Sequence, residues 1–220
     1  HGGTDVPEGD QGMQDFVHDV AGLLDALHVR AAVVAGLGLG GLIAQGLAAE
    51  RPDLVAGLVL CNTAARLGNE RIWAARAETV RTLGMAALAD DLVARWLPAR
   101  LRTDRPEQAA LWRERLLQTP PEGYAGACAA IGGTDLLTST SRLRLPALVV
   151  AGALDGSVPA DMVRETADLI PGAGFHVLPN IGHLPPVEAP EALAALLDPF
   201  LAKHAPPPHA DRGPRPPLIL

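Results

Sequence analysis

The sequence predicts an α/β layered fold, a parallel sheet flanked by helices. Three observations carry this expectation. Short apolar runs such as Val55-Ala56-Gly57-Leu58-Val59-Leu60-Cys61 show little alternation, as strands covered on both faces should. The segment from Ala31 to Cys61 reads strand, helix, strand, a unit whose crossover should be right-handed. Between its first strand and its helix stands a glycine cluster, Gly36-Leu37-Gly38-Leu39-Gly40-Gly41. A chain of 220 residues suffices for one domain with an insertion and a sizeable core. Aromatic residues make up only 3% of it, so that core must be built from Ala, Leu and Val.

The elements follow in order. His1 to Gly9 is a loop without helical or strand period and without a starting methionine, which leads us to expect residues upstream. From Gln14 to Leu27, apolar residues at Phe16, Val17, Val20, Leu23, Leu24 and Leu27 recur at three- and four-residue steps and predict an amphipathic helix. Ala31 to Leu37 is a short strand, and Gly40 to Glu50 a helix stopped by Arg51-Pro52. Val55 to Cys61 is the second strand, ended by Asn62-Thr63. From Asn69 to about Arg142 there is no strand signal; about four short helices, with breaks at Gly84, Pro98, Pro106, Pro120-Pro121 and Gly132-Gly133, form an insertion. Ala147 to Ala151 and Phe175 to Leu178 are further strands, with helices over Pro159 to Leu169 and Pro190 to Lys203. The layout is thus a core over 1–64 and 145–204, a helical insertion over 65–144, and a proline-rich, extended tail over 205–220. Four strands make a thin sheet. The strand at 31–37 would be an edge that is apolar on both faces, so we expect an upstream segment or a partner chain to cover it.

Charge and composition narrow the function. A formal net charge of −7 argues against nucleic acid or an anionic membrane surface as partner. No apolar run reaches the roughly 20 residues of a membrane span, and no signal peptide opens the chain. Cys61 and Cys128 lie in apolar contexts and read as buried free thiols of a cytoplasmic protein. Neither they nor the scattered His18, His28, His176, His204 and His209 have metal-ligand spacing, so no metal or cofactor is expected.

The glycine cluster fits two devices. As Gly36-x-Gly38-x-x-Gly41 it matches a phosphate cradle at a helix N-terminus. That device expects a ribose-binding acid at the end of the next strand, which instead ends in Leu60-Cys61-Asn62-Thr63. As a nucleophile elbow, Gly-x-Ser-x-Gly, it places Gly36 and Gly40 at the glycine positions and Gly38 at the position of the serine. Acyl transfer also needs a base and an acid that orients it, carried in the loops after later strands in the order nucleophile, acid, base. Asp155, in Gly152-Ala153-Leu154-Asp155-Gly156, and His183, in Asn180-Ile181-Gly182-His183-Leu184-Pro185, stand where that acid and base should be. Read alone, Asp155 is an Asx turn before a helix and His183 an ordinary loop histidine. Their order behind the turn favours the elbow.

These residues carry a resemblance. The opening loop, the Gly-Leu-x-Leu-Gly-Gly turn, the Asp155 loop and Gly182-His183-Leu184-Pro185 resemble the α/β-hydrolases, and the likeness runs over nearly all of residues 1 to 204. Within the insertion, Thr119-Pro120-Pro121-Glu122-Gly123-Tyr124-Ala125-Gly126 and the residues to Ile131 are similar to the lid of 3-oxoadipate enol-lactonases of the β-ketoadipate pathway of aromatic catabolism. The resemblance implies an α/β-hydrolase fold with a helical lid, whose first strands would precede His1. It implies hydrolysis of a small lactone or ester, with no cofactor. Asp155 would be the acid, His183 the base, and the amide of Leu39 an oxyanion donor. Trp96 and Arg95 could line the pocket, the arginine matching a substrate carboxylate; as plain structure they read as lid core and solvated face. Trp73 and Trp112 read as helix packing, and Glu188 as a charge suited to the first turn of the closing helix.

The departure is Gly38. Glycine cannot form an acyl-enzyme, and removing the nucleophile of a serine hydrolase costs on the order of a millionfold in turnover. The sequence therefore supports a hydrolase working weakly through water, or a hydrolase shell that binds its ligand without turning it over.

Overall fold

The computed structural model describes residues 4–7 and 9–206; the proline-rich tail from 207 onward and residues 1–3 and 8 of the opening loop lie outside the described residues. Four parallel strands, β1 (Ala32–Leu37), β2 (Val55–Cys61), β3 (Ala147–Gly152) and β4 (Gly174–Leu178), stand side by side in chain order.

Side-chain alternation along the two inner strands divides the core into two layers. Leu58 and Leu60 of β2, with Val149 and Ala151 of β3, face α1 (Met13–Ala26), α2 (Leu39–Glu50) and α9 (Ala160–Leu169). Val59 and Cys61, with Leu148 and Val150, face α11 (Pro190–His204) through Leu193, Leu197 and Phe200. Leu42, Leu47, Leu54, Leu58 and Leu60 are wholly buried, so leucine supplies the bulk that aromatic residues would otherwise bring.

The two outer strands differ from the inner pair. β2 and β3 are buried almost throughout, whereas β1 is only partly covered, with Ala35 exposed. This is the edge for which an upstream segment or a partner chain is expected, and it has no neighbouring strand among the described residues.

Between β2 and β3 run six helices rather than about four: α3 (Glu70–Leu83), α4 (Ala86–Trp96), α5 (Ala99–Asp104), α6 (Pro106–Leu117), α7 (Pro121–Gly132) and α8 (Leu137–Ser141). Pro106 and Pro121 stand at the first positions of α6 and α7, where a missing N–H costs nothing; each breaks one helix and opens the next. Asn69 caps α3 by accepting the Ile72 N–H at 3.1 Å. Val80, Leu92, Leu97, Leu116 and Cys128 give these helices a core of their own, which meets the rest of the chain at Leu184. The last of the six, α8, packs against α2 and α9 instead, and Thr140 donates to buried Gln45 at 2.9 Å. A one-turn helix, α10 (Pro185–Glu188), precedes the closing helix and has no separate sequence signal. Among the described residues, no helix is long and apolar enough to cross a membrane.

Candidate active site

The turn after β1 owes its shape to close backbone approaches. A Cβ on Gly36 would lie 2.1 Å from the Gly40 carbonyl oxygen, and one on Gly41 would lie 2.3 Å from Thr63 Cγ2. Both positions therefore admit only glycine. Gly40, expected to be the second required glycine, has open space where its side chain would go; it contributes its carbonyl, and Gly41 is the tight position. Gly38 itself has φ +54 and ψ −118, a conformation side chains rarely adopt. Its N–H donates to the Cys61 carbonyl at 3.2 Å, and its own carbonyl accepts from Thr63 Oγ1 at 2.7 Å. The turn keeps the conformation of an elbow without the residue that ordinarily needs it.

The loops after β3 and β4 bring Asp155 and His183 together. His183 Nδ1 lies 2.7 Å from Asp155 Oδ2, and both residues are buried. The other oxygen, Oδ1, accepts the Ser157 and Val158 N–H groups at 2.7 and 3.1 Å, so the carboxylate cannot swing away. With Nδ1–H given to Asp155, a neutral His183 presents an unprotonated Nε2 on its other side. A Cβ on Gly38 would lie 3.3 Å from that Nε2. Two loops 28 residues apart thus converge on a turn more than a hundred residues before them.

Several residues that the sequence did not single out hold this point. Asn62, wholly buried and itself at φ +44, donates from Nδ2 to the Gly182 carbonyl at 2.9 Å and accepts the Gly152 N–H at 2.6 Å. One side chain at the end of β2 therefore ties the loop of Asp155 to the loop of His183. The end of α4 does the same through its backbone: the Arg95 carbonyl accepts the Gly156 N–H at 3.1 Å, and the Trp96 carbonyl accepts the His183 N–H at 2.8 Å. Glu188, read from sequence as a helix-dipole charge, instead turns back from the end of α10 onto the Gly182 and Leu184 N–H groups at 2.7 and 2.9 Å. No local pattern signals Asn62 or Glu188, since their partners are set by the packed loops.

A cavity of about 430 Å³ opens from Gly38 and His183 between the core and the inserted helices. Leu39, Arg95 and Trp96 line it, and the Trp96 ring lies 6.2 Å from His183, nearly parallel to it. Trp73, expected only to pack helices, lines it too, with Arg76 stacked 4.7 Å over its ring. Arg95 pairs with Asp91 at 2.9 Å, whereas Arg76 has no carboxylate at ion-pair distance among the described residues. No Asp or Glu lines the cavity among those residues, so its walls are apolar and its charges positive. Cys128 also reaches the wall, but burial pushes its thiol up to about 11, which leaves little thiolate near neutral pH.

Against this geometry the comparisons with known proteins are clear. Residues 1–196 match the model of the alpha/beta hydrolase family. The chain belongs to the α/β-hydrolase family. It is 32% identical to 3-oxoadipate enol-lactonase 2 of Acinetobacter baylyi over 192 residues, which span 87% of this chain and 72% of that protein. Its structure superposes on the enol-lactonase of Burkholderia xenovorans LB400 with a TM-score of 0.88 and 36% identity, covering 92% of this chain and 77% of that one. A thermophilic esterase from Thermogutta terrifontis aligns at TM-score 0.85 and 32% identity, over 90% and 75% of the two chains. Family membership sets aside the phosphate-cradle reading of the turn, and makes the chain a carboxylic ester or lactone hydrolase by family. Gly38 is where it departs from a serine hydrolase.

Proposed function

We propose that the cavity takes a small lactone or ester carrying a carboxylate, of the 3-oxoadipate enol-lactone kind, and that water rather than an enzyme side chain attacks it. One observation carries the reading: the buried His183–Asp155 pair at 2.7 Å, with Nε2 directed at the Gly38 turn. In this reading a water hydrogen-bonded to Nε2 adds its oxygen to the substrate carbonyl carbon while its proton passes to Nε2. Asp155 stabilises the imidazolium and fixes its orientation. The Leu39 N–H, in the first turn of α2 where amides lack helical partners, donates to the oxyanion. The carbon–oxygen bond then breaks, and His183 returns the proton to the leaving oxygen, which in a lactone stays on the same molecule. Arg76 and Arg95, which line the cavity, suit a substrate carboxylate, and the helices at 65–144 act as its lid.

Without a positioned alkoxide this route is slow, and Gly38 favours a second reading, a site that binds its ligand and scarcely turns it over. Hydrolysis of a carboxylate-bearing enol-lactone and of a simple aryl ester should be followed with the chain, with Gly38→Ser, and with Gly38→Ser/His183→Ala. Serine at position 38 should raise turnover on the order of 10⁶-fold, and His183→Ala should abolish the gain. If serine restores nothing, the site assignment is wrong. Calorimetric binding of the lactone without detectable turnover by the unchanged chain would select the second reading.

A further inference from the structure

We propose that Glu188 is a positioning residue for His183: its carboxylate holds the N–H groups of the two neighbouring residues, Gly182 and Leu184, and so sets where Nε2 stands. The inference rests on the reading of His183 and Asp155 as the base and its orienting acid, and it goes beyond that reading in assigning a residue that touches neither the substrate nor the reacting atoms.

Glu188 Oε2 accepts the Gly182 N–H at 2.7 Å, and Oε1 accepts the Leu184 N–H at 2.9 Å. A carboxylate is the side chain that offers two acceptor oxygens and no donor, which is what two convergent N–H groups need. Two further backbone groups of the segment are held from other elements. The Gly182 carbonyl accepts from Asn62, and the His183 N–H donates to the Trp96 carbonyl. The loop is therefore suspended from the end of β2, the end of α4 and the end of α10, and Glu188 supplies two of its four anchors.

The fit at Gly182 shows how little slack remains. A Cβ there would lie 2.4 Å from the Trp96 carbonyl oxygen and 3.2 Å from Glu188 Oε1. Loss of the carboxylate would free the Ile181–Gly182 and His183–Leu184 peptides, leaving Asn62 and Trp96 on the peptide between Gly182 and His183 and Asp155 on the Nδ1 end of the ring. The charge itself costs something. Burial raises the Glu188 carboxyl above its ordinary value, its two N–H bonds pull it back, Asp155 raises it further and His183 lowers it. Asp155 and His183 are the charged groups that act on it, and a half-buried carboxylate facing another carboxylate is not there to form an ion pair.

The test uses Glu188→Gln, which keeps the size but turns an amide donor toward one of the two N–H groups, together with Glu188→Ala. Two readouts are needed. In the otherwise unchanged chain, the low-field proton resonance of His183 Nδ1–H reports the bond to Asp155 whether or not the protein turns over substrate. In the Gly38→Ser background, kcat and KM are measured for an aryl ester. We expect the resonance to broaden or vanish in both Glu188 variants. We also expect kcat to fall about 10- to 100-fold with KM within about twofold, the penalty of a misplaced base. An unchanged resonance in folded Glu188→Gln overturns the proposal, as does an unchanged kcat per folded molecule. If Gly38→Ser is inactive with Glu188 intact, the hydrolytic reading fails, and the resonance alone decides the role of Glu188. Where Glu188→Ala does not fold, Glu188→Gln carries both measurements.

Discussion

The turn after β1 and the loops after β3 and β4 meet at His183 Nε2, yet they hold their shapes by opposite means. The turn is fixed by what is missing. Gly36 and Gly41 leave no room for a side chain, and Gly38 sits at φ +54 with its carbonyl held by Thr63 Oγ1. The loops are fixed by what is present: Asn62, Asp155 and Glu188 direct six hydrogen bonds at backbone groups around His183, and Asp155 makes a seventh to its ring. The difference teaches why one region can lose its functional residue and the other cannot. Replacing serine by glycine at position 38 removes chemistry but relieves backbone strain of about 1–3 kcal/mol, so the turn survives the loss. Removing a polar side chain from the loops leaves buried N–H and C=O groups unsatisfied, at about 1–3 kcal/mol each.

The largest effect should come from the acid. In the Gly38→Ser background, Asp155→Asn preserves the side-chain shape but offers His183 a donor as well as an acceptor, and so permits the wrong imidazole tautomer. Turnover should drop on the order of 10⁴-fold with the fold intact. A drop of less than tenfold in single-turnover kinetics would mean that the Asp155–His183 bond is structural, and the contrast between the two regions would collapse.

The glycines give the second test. Gly36→Ala drives a methyl group into the Gly40 carbonyl and should cost about 4 kcal/mol or more, or prevent folding. Gly40→Ala meets open space in the first turn of a helix and should be neutral or stabilising by up to about 1 kcal/mol. Urea unfolding of the two variants separates them. Equal costs would show that the turn is not held by close backbone approach.

Much of this was legible in the residues themselves. Each strand was readable to within one residue at either end because apolar, β-branched runs end at glycine, proline or asparagine. Asp155 and His183 were readable because the fold fixes their order along the chain. The braces were not. Asn62 reaches Gly182 across 120 positions, and nothing around Asn62 distinguishes it from a strand terminator. Glu188 looked like a helix-dipole charge because the one-turn helix that aims it backward is two prolines long at its start and has no period to read. Trp73 and Arg76 joined the cavity wall because α3 and α7 pack closely, a tertiary fact that the helical pattern of either alone does not contain.

The smallest predicted effect separates the two regions by pH. The glycine turn contains no titrating side chain, so the stability difference between Gly40→Ala and the unchanged chain should be flat from pH 4 to 7. Glu188 should behave otherwise. Its carboxyl is raised by burial above its ordinary 4.5, so the folded chain takes up a proton at a higher pH than the unfolded chain does. A raised carboxyl contributes stability that is fully present below the unfolded value and is lost as pH rises through the folded value. The unchanged chain should therefore lose stability relative to Glu188→Gln as pH climbs from below 4.5 toward neutrality, by roughly 1 kcal/mol or less. Activity in the Gly38→Ser background should move the other way over the same window, because the clamp on the Gly182 and Leu184 N–H groups needs both oxygens as acceptors. Paired urea titrations at each pH check the first trend. A Glu188→Gln difference that stays flat would place Glu188 with the glycines, as a residue whose contribution is shape and not charge.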